Sequence, residues 1–166
     1  MAKIKLGGKS IETLGNLPEI GNQAPDFHLT TPELEDKTLE DFKGSRVIMN
    51  IFPSIDTNVC ALSVSTFNKE VAALENTTLL SISKDLPFAQ KRFTESAEIE
   101  NTVNLSDFRD GNFGKNYGVE MTTGALRGLL SRAVIVLDEE GKVRYTEQVS
   151  EIGEEPDYEA ALNSLR

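Results

Sequence analysis

Cys60 is the only cysteine among the 166 residues, and His28 is the only histidine. One cysteine excludes an intramolecular disulfide, and one histidine excludes the usual zinc clusters. The kinds of chemistry that remain possible are carboxylate chemistry, the chemistry of a lone thiol, or no catalysis at all. Because the thiolate is the nucleophilic form of cysteine, the surroundings of Cys60 must be judged by whether they favour a negative charge on sulfur.

Cys60 follows a turn-rich loop between a predicted strand and a predicted helix. The apolar run at 46–52 is typical of a strand covered on both faces, and the loop spans 53–58. A helix from about Val59 places Cys60 in or near its first turn, where free N–H groups and the helix dipole favour thiolate. Thr57 can accept a hydrogen bond from the thiol or donate one to a bound oxygen. The alternative is a buried cysteine that acts as a small hydrophobe.

Other reactive side chains have simpler interpretations. His28 lies in an alternating stretch, on the face opposite Phe27 and Leu29. We interpret it as a solvent-facing strand residue rather than a catalytic one. Tyr117 and Tyr158 are interpreted as core residues with a polar tip.

The chain alternates strands and helices without a linker or repeat. Strands are predicted at 26–30, 46–52, 77–83, 102–105, 133–137 and 143–149, and helices from 59, at 87–97, at 112–117 and from 156. Gly7 and Gly8 supply the turn of an N-terminal hairpin. This order predicts an α/β, thioredoxin-like fold: a central mixed β-sheet flanked by helices, with the hairpin as an extension at about 1–15. The length predicts a single domain, 1–166.

Charge and hydropathy exclude several classes of partner. Seventeen basic against 27 acidic residues give a net charge of −10, which argues against a nucleic-acid partner. No apolar run approaches the roughly 18 residues of a membrane span, so no membrane partner is expected. The first residues lack the apolar stretch of a signal peptide, so we expect a cytoplasmic protein.

The loop before Cys60 carries a recognisable pattern. Pro53, Thr57 and Cys60 match the peroxiredoxin signature of proline, three residues, threonine, two residues and cysteine. Three further segments are similar to the bacterial thiol peroxidase branch of that family: DLPFAQ at 85–90, SRAV at 131–134 and EPDYEAA at 155–161. The chain therefore resembles this branch over nearly its whole length.

The resemblance implies an enzyme that reduces hydrogen peroxide and alkyl hydroperoxides without metal or other cofactor. It implies that the Cys60 thiolate attacks the peroxide and becomes a sulfenic acid. Thr57 would hold the peroxide in line with sulfur, and Arg132 would lie beside Cys60 and stabilise its negative charge. Pro53 would shield the sulfur from solvent. From the sequence we also expect an apolar approach to Cys60 formed by Phe52, Leu129 or Leu130, which would suit alkyl hydroperoxides.

Thr94 departs from the family pattern. The branch is normally an atypical two-cysteine peroxiredoxin, and the resemblance implies that Thr94 stands at the position of the resolving cysteine. Peroxide reduction should survive this departure, whereas recycling by thioredoxin or another thiol reductant is put in doubt. The resemblance also implies a homodimer. Two alternatives remain: a thiol-exchange module, which usually needs the Cys-x-x-Cys pair absent here, and a thioredoxin-fold binding module with an inert Cys60.

Overall fold

A computed structural model describes all 166 residues. A two-stranded hairpin of β1 (Lys3–Leu6) and β2 (Lys9–Glu12) stands apart from a seven-stranded sheet. The strands of that sheet are β3 (His28–Thr30), β4 (Asp36–Thr38), β5 (Arg46–Ile51), β6 (Thr77–Ser83), β7 (Thr102–Ser106), β8 (Ala133–Leu137) and β9 (Val143–Gln148). The helices are α1 (Asn58–Val71), α2 (Pro87–Ser96), α3 (Asn112–Asn116), α4 (Tyr158–Asn163) and a 3-10 helix at Leu39–Phe42.

The sheet is mixed, and its strands lie in the order β4-β3-β7-β6-β5-β8-β9. Strands β5, β6 and β7 run parallel, whereas β8 is antiparallel to β5. None of the helices has the length and apolarity needed to cross a bilayer. The predicted fold class, a central mixed sheet with an N-terminal hairpin, is confirmed.

Strand β5 is an interior strand of the sheet, between β6 and β8, and both of its faces are covered. Val47 and Met49 belong to the larger apolar core, whereas Ile48 packs with Phe67 of α1 and Ala161 of α4. Successive side chains of a strand point to opposite faces, so a strand between two cores must be apolar at nearly every position. This packing on both faces holds the end of β5 in place, and with it the start of the loop that follows.

The predicted elements agree with the structure to within one residue at each end, except at three places. Strand β3 begins at His28 rather than at residue 26. Helix α4 begins at Tyr158 rather than at Pro156, and the side chain of its N-cap residue, Asp157, accepts a hydrogen bond from Ala160 N. Strand β4 and the 3-10 helix were not predicted, because Asp36–Thr38 is three polar residues long and carries no apolar period. The hairpin glycines do adopt positive φ, 58° at Gly7 and 81° at Gly8.

The interpretations of His28 and Tyr117 are confirmed. His28 is exposed, and its Nε2 lies 2.8 Å from the carboxylate of Asp110. Hydrogen bonds from the Asn112 side chain and from His28 lower the pKa of Asp110 to about 2. Tyr117 is buried and its hydroxyl donates to Pro25 O at 2.6 Å. Burial raises the pKa of Tyr117, so this hydroxyl stays protonated.

Candidate active site

Cys60 lies in the first turn of α1 and is completely buried, with 0% of its surface exposed. Thr57 is the N-cap residue and the helix begins at Asn58, one residue before the predicted start, so Cys60 is its third residue. Ser63 Oγ donates to Cys60 O at 2.8 Å, and Asn50 Nδ2 of β5 donates to Ser63 Oγ at 3.1 Å. This buried pair of hydrogen bonds joins the first turn of the helix to strand β5.

Arg132 is brought to Cys60 by the pairing of two strands. Strand β8 runs antiparallel to β5, and Ala133 pairs with Ile51, so the residue before β8 lies beside the loop that follows β5. The Nη2 atom of Arg132 donates to Cys60 Sγ at 3.2 Å. Its Nε donates to Ile152 O at 2.8 Å, which holds the guanidinium from the opposite side.

The guanidinium of Arg132 is a buried cation without a carboxylate partner. Arg132 is only 2% exposed, and no Asp or Glu forms an ion pair with it. Its Nη1 atom is buried and makes no hydrogen bond within the protein. An unpaired buried charge costs several kcal/mol. A negative charge on Cys60 Sγ would supply the missing counter-charge.

The loop between β5 and α1 presents the other two predicted residues. Pro53 is buried, whereas Thr57 is exposed. Thr57 Oγ1 donates its proton to Ser54 O at 2.9 Å and makes no hydrogen bond with Cys60. Because the hydroxyl proton of Thr57 is already donated to Ser54 O, the hydroxyl oxygen can only accept a hydrogen bond from a molecule that enters the site.

A pocket of about 230 Å³ opens above Arg132. Pro53 and Thr57 line it together with Arg132, the residue that contacts Cys60, whereas Thr94 does not line it. Its apolar wall comes from Leu6, Val59, Leu126, Leu129 and Ile152. A small, mostly apolar space with one cationic donor suits a neutral molecule that becomes negatively charged as it reacts.

Comparison with known proteins identifies the family. The Redoxin family profile matches residues 19–162. The thiol peroxidase of Corynebacterium glutamicum is 50% identical over 165 residues, which cover 99% of each chain. This chain belongs to the thiol peroxidase branch of the peroxiredoxins. Its fold is similar to that of a peroxiredoxin-like protein from Aquifex aeolicus, with a TM-score of 0.92, 39% identity and coverage of 98% of this chain and 95% of the other.

A second solved structure leads to the same branch. The thiol peroxidase from Chromobacterium violaceum has a TM-score of 0.91 and 25% identity, over 98% of this chain and 94% of the other. The protein is accordingly an enzyme, a peroxidase that reduces a hydroperoxide with electrons from a thiol reductant. The predicted family, fold and activity are confirmed.

The peroxidase pocket differs in part from the one expected from sequence. Of the three residues expected at the apolar approach, only Leu129 lines the pocket. Phe52 packs behind Cys60 in a small cluster, and Leu130 is buried in the main core. Sequence reasoning missed Leu6 and Ile152, because their contribution depends on the hairpin and the segment after β9 meeting in space.

Thr94 of this peroxidase lies on α2 and is half-buried. Its hydroxyl is within hydrogen-bond distance of Lys91 O, at 3.1 Å, and accepts from Asn104 Nδ2 at 3.2 Å. The preceding residue, Phe93, packs against the cluster containing Cys60, as does Ile99. An open acidic groove of about 540 Å³ adjoins Thr94. In this conformation Thr94 thus contacts β7 rather than α1.

The hairpin that supplies Leu6 is held in place by Glu151. The Glu151 carboxylate accepts from Gly7 N at 2.8 Å and from Gly8 N at 3.2 Å. These hydrogen bonds lower the pKa of Glu151 below its ordinary value of 4.5. Next to it, Ile152 N donates to Lys5 O at 2.9 Å, while Ile152 O accepts from Arg132. One short segment therefore fixes both the apolar wall and the guanidinium.

We expect Glu151→Gln to loosen the hairpin turn of the peroxidase. The glutamine amide keeps one acceptor oxygen, but its NH2 group would face the N–H donors of Gly7 and Gly8. The protection of these two amides from hydrogen exchange should therefore fall by about threefold or more. Because folding depresses the pKa, the anchor is fully present above pH 4.5 and is lost as pH falls through the lowered value. The parent and the control variant, which both keep Glu151, should show this acid step, whereas Glu151→Gln should not. Glu154→Gln, at an exposed neighbour, is the control; equal protection in all three proteins would contradict the assignment.

Proposed function

We propose that Cys60 is the residue that peroxide oxidises, and that Arg132, Thr57 and Pro53 form its active site. The single observation that carries this proposal is the 3.2 Å contact between Cys60 Sγ and a buried guanidinium with no carboxylate partner. A permanent cation in a water-poor site stabilises thiolate more than thiol. It also remains charged throughout the reaction, because arginine does not lose its proton.

The proposed reaction is a two-electron displacement at oxygen. The Cys60 thiolate attacks the terminal oxygen of ROOH, so that a sulfur–oxygen bond forms as the oxygen–oxygen bond breaks. Sulfur is oxidised to a sulfenic acid, and the departing RO⁻ takes a proton from solvent to become an alcohol, or water when the substrate is hydrogen peroxide. The free Nη1 of Arg132 is the donor available to the charge that develops on the leaving oxygen.

Thr57 and Pro53 have supporting roles in this proposal. Since the Thr57 proton is donated to Ser54 O, its oxygen can accept the peroxide O–H and hold the reacting oxygen in line with sulfur. Pro53 is buried and lines the pocket, where it limits access of water to the sulfur. The apolar wall formed with Leu6 and Leu129 favours alkyl hydroperoxides alongside hydrogen peroxide.

The reductant and assembly are proposed on the family resemblance. A sulfenic acid returns to thiol when two external thiols form a disulfide and release water, and thioredoxin is the proposed donor. We propose a cytoplasmic homodimer in which residues 1–166 act as one domain. A reducing compartment suits an enzyme whose only cysteine must begin each cycle as a thiol.

Mass spectrometry after one equivalent of peroxide tests this function. The reduced protein should gain one oxygen, and a dithiol reductant should remove it while peroxide is consumed. A chain that leaves peroxide untouched and keeps its mass would contradict the proposal, and would instead fit a binding module with an inert Cys60.

We expect replacement of Thr94 to change the fate of the oxidised enzyme. In the parent, excess peroxide should carry Cys60 to sulfinic or sulfonic acid, with a gain of two or three oxygens and progressive inactivation. Thr94→Cys should instead lose two hydrogens, forming a disulfide that thioredoxin reduces. Residue 94 contacts Asn104 in this conformation, so the proposal includes the local unfolding that the family resemblance implies, which would bring α2 against the Cys60 helix before the two sulfurs meet.

The matched control for this prediction is Ser96→Cys, which adds an exposed thiol to the same helix. It should over-oxidise like the parent. A Thr94→Cys protein that over-oxidises equally would show that residue 94 is not the resolving position. Indefinite turnover of the parent with thioredoxin would show that a second cysteine is unnecessary.

A further inference from the structure

Asp85 belongs to a segment whose role the proposed reaction leaves open. It lies between β6 and α2, and its carboxylate accepts three hydrogen bonds. Ser54 Oγ donates to one oxygen at 2.7 Å, while Ile55 N at 2.7 Å and Ser83 Oγ at 2.6 Å donate to the other. Two of these donors belong to the loop that precedes Cys60. A carboxylate can satisfy all three because both of its oxygens are acceptors only.

The hydrogen bonds continue from Ser54 to the catalytic threonine. Ser54 Oγ, held by Asp85, also accepts from Asp56 N at 3.2 Å. The carbonyl oxygen of Ser54 accepts from Thr57 Oγ1 at 2.9 Å and from Thr57 N at 3.2 Å. Both ends of Ser54 are therefore held, and its carbonyl determines where the Thr57 hydroxyl proton points.

Asp85 is itself supported from the side of the sheet. Gln90 of α2 is 1% exposed, and its Nε2 donates to Ser83 Oγ at 3.1 Å and to Leu105 O at 3.0 Å. Ser106 Oγ donates to the carbonyl oxygen of Asp85. These contacts join the carboxylate to two central strands, so that it is a rigid anchor for the loop rather than a mobile surface group.

We propose that Asp85 is a positioning residue of the peroxidase. It fixes Ser54, and through the Ser54 carbonyl it holds the Thr57 hydroxyl with its lone pairs toward the pocket. This inference rests on the proposed role of Thr57 as the acceptor of the peroxide proton. Asp85 does not touch the peroxide, and its effect on the reaction passes through Thr57.

A double-mutant cycle with Asp85→Asn and Thr57→Val tests the inference. We expect Asp85→Asn to slow peroxide reduction, up to about a hundredfold, because small displacements of a positioning group cost that much. In the Thr57→Val background the same change should cost less than about threefold, because the hydroxyl that Asp85 orients is already absent. Alkylation of Cys60 by iodoacetamide, which does not use Thr57, should change little with Asp85→Asn.

Controls separate positioning from folding and from the function itself. Asp41→Asn removes a carboxylate that accepts a hydrogen bond from Thr38 N at 2.8 Å beside the 3-10 helix. This variant should reduce peroxide at the rate of the parent. If Asp85→Asn does not fold, Ser54→Ala breaks the same connection; its smaller loss should likewise vanish in Thr57→Val. Equal losses in both backgrounds, or no loss, would overturn the role of Asp85. An inactive parent would overturn the proposed function instead.

Discussion

Cys60→Ser is expected to abolish peroxide reduction while the protein stays folded. A serine hydroxyl is nearly the size of the thiol but remains protonated at neutral pH, so no anion is available to attack oxygen. Loss of the nucleophile should lower the rate by at least about a thousandfold, to the background of free solution. The assay follows peroxide consumption with a dithiol reductant, and circular dichroism follows the fold.

The control for Cys60→Ser is the parent after alkylation of Cys60, which should lose the same activity. Because the chain has no second thiol, there is no other cysteine to substitute for it. Peroxide reduction that persists in Cys60→Ser would therefore rule out thiol chemistry as the source of the activity.

Arg132→Met is expected to remove most of the peroxidase activity through loss of charge rather than loss of packing. Methionine fills much of the same space but supplies neither the cation beside Cys60 Sγ nor the free Nη1 donor. The peroxide rate should fall by about a hundredfold to a thousandfold, the scale of losing one preorganised donor. Alkylation of Cys60 by iodoacetamide should also be slower than in the parent, because the cation that favours the nucleophilic thiolate is gone.

Two further variants sharpen the test of Arg132. Arg132→Lys keeps the charge but cannot contact both Cys60 and Ile152 as the planar fork does, so it should be impaired as well. Arg127→Met makes the same change of net charge at an exposed residue and should behave like the parent. An unchanged rate of Cys60 alkylation in Arg132→Met would mean that the guanidinium does not act on the sulfur. Folding should survive, since Arg132→Met removes a buried cation that has no carboxylate partner and leaves no acidic side chain unpaired.

The amino-acid sequence by itself determined the local framework of this enzyme. The apolar run that became β5, the turn-rich loop and the apolar spacing of α1 are short-range patterns, so the position of Cys60 in a first helical turn could be predicted from them. Three-residue β4 and the start of α4 could not be predicted in this way. An exposed edge strand has no apolar period, and the cap of α4 depends on the Asp157 side chain that accepts from Ala160 N.

Only the tertiary structure decided which distant side chains meet at the sulfur. Arg132 is 72 residues from Cys60 in sequence, and it reaches Sγ because Ala133 pairs with Ile51 in the antiparallel register of β8 and β5. The same holds for Glu151, whose carboxylate meets the hairpin turn across 144 residues. No periodicity of either segment encodes such contacts, because a strand register is set by the packing of the whole sheet on its two cores.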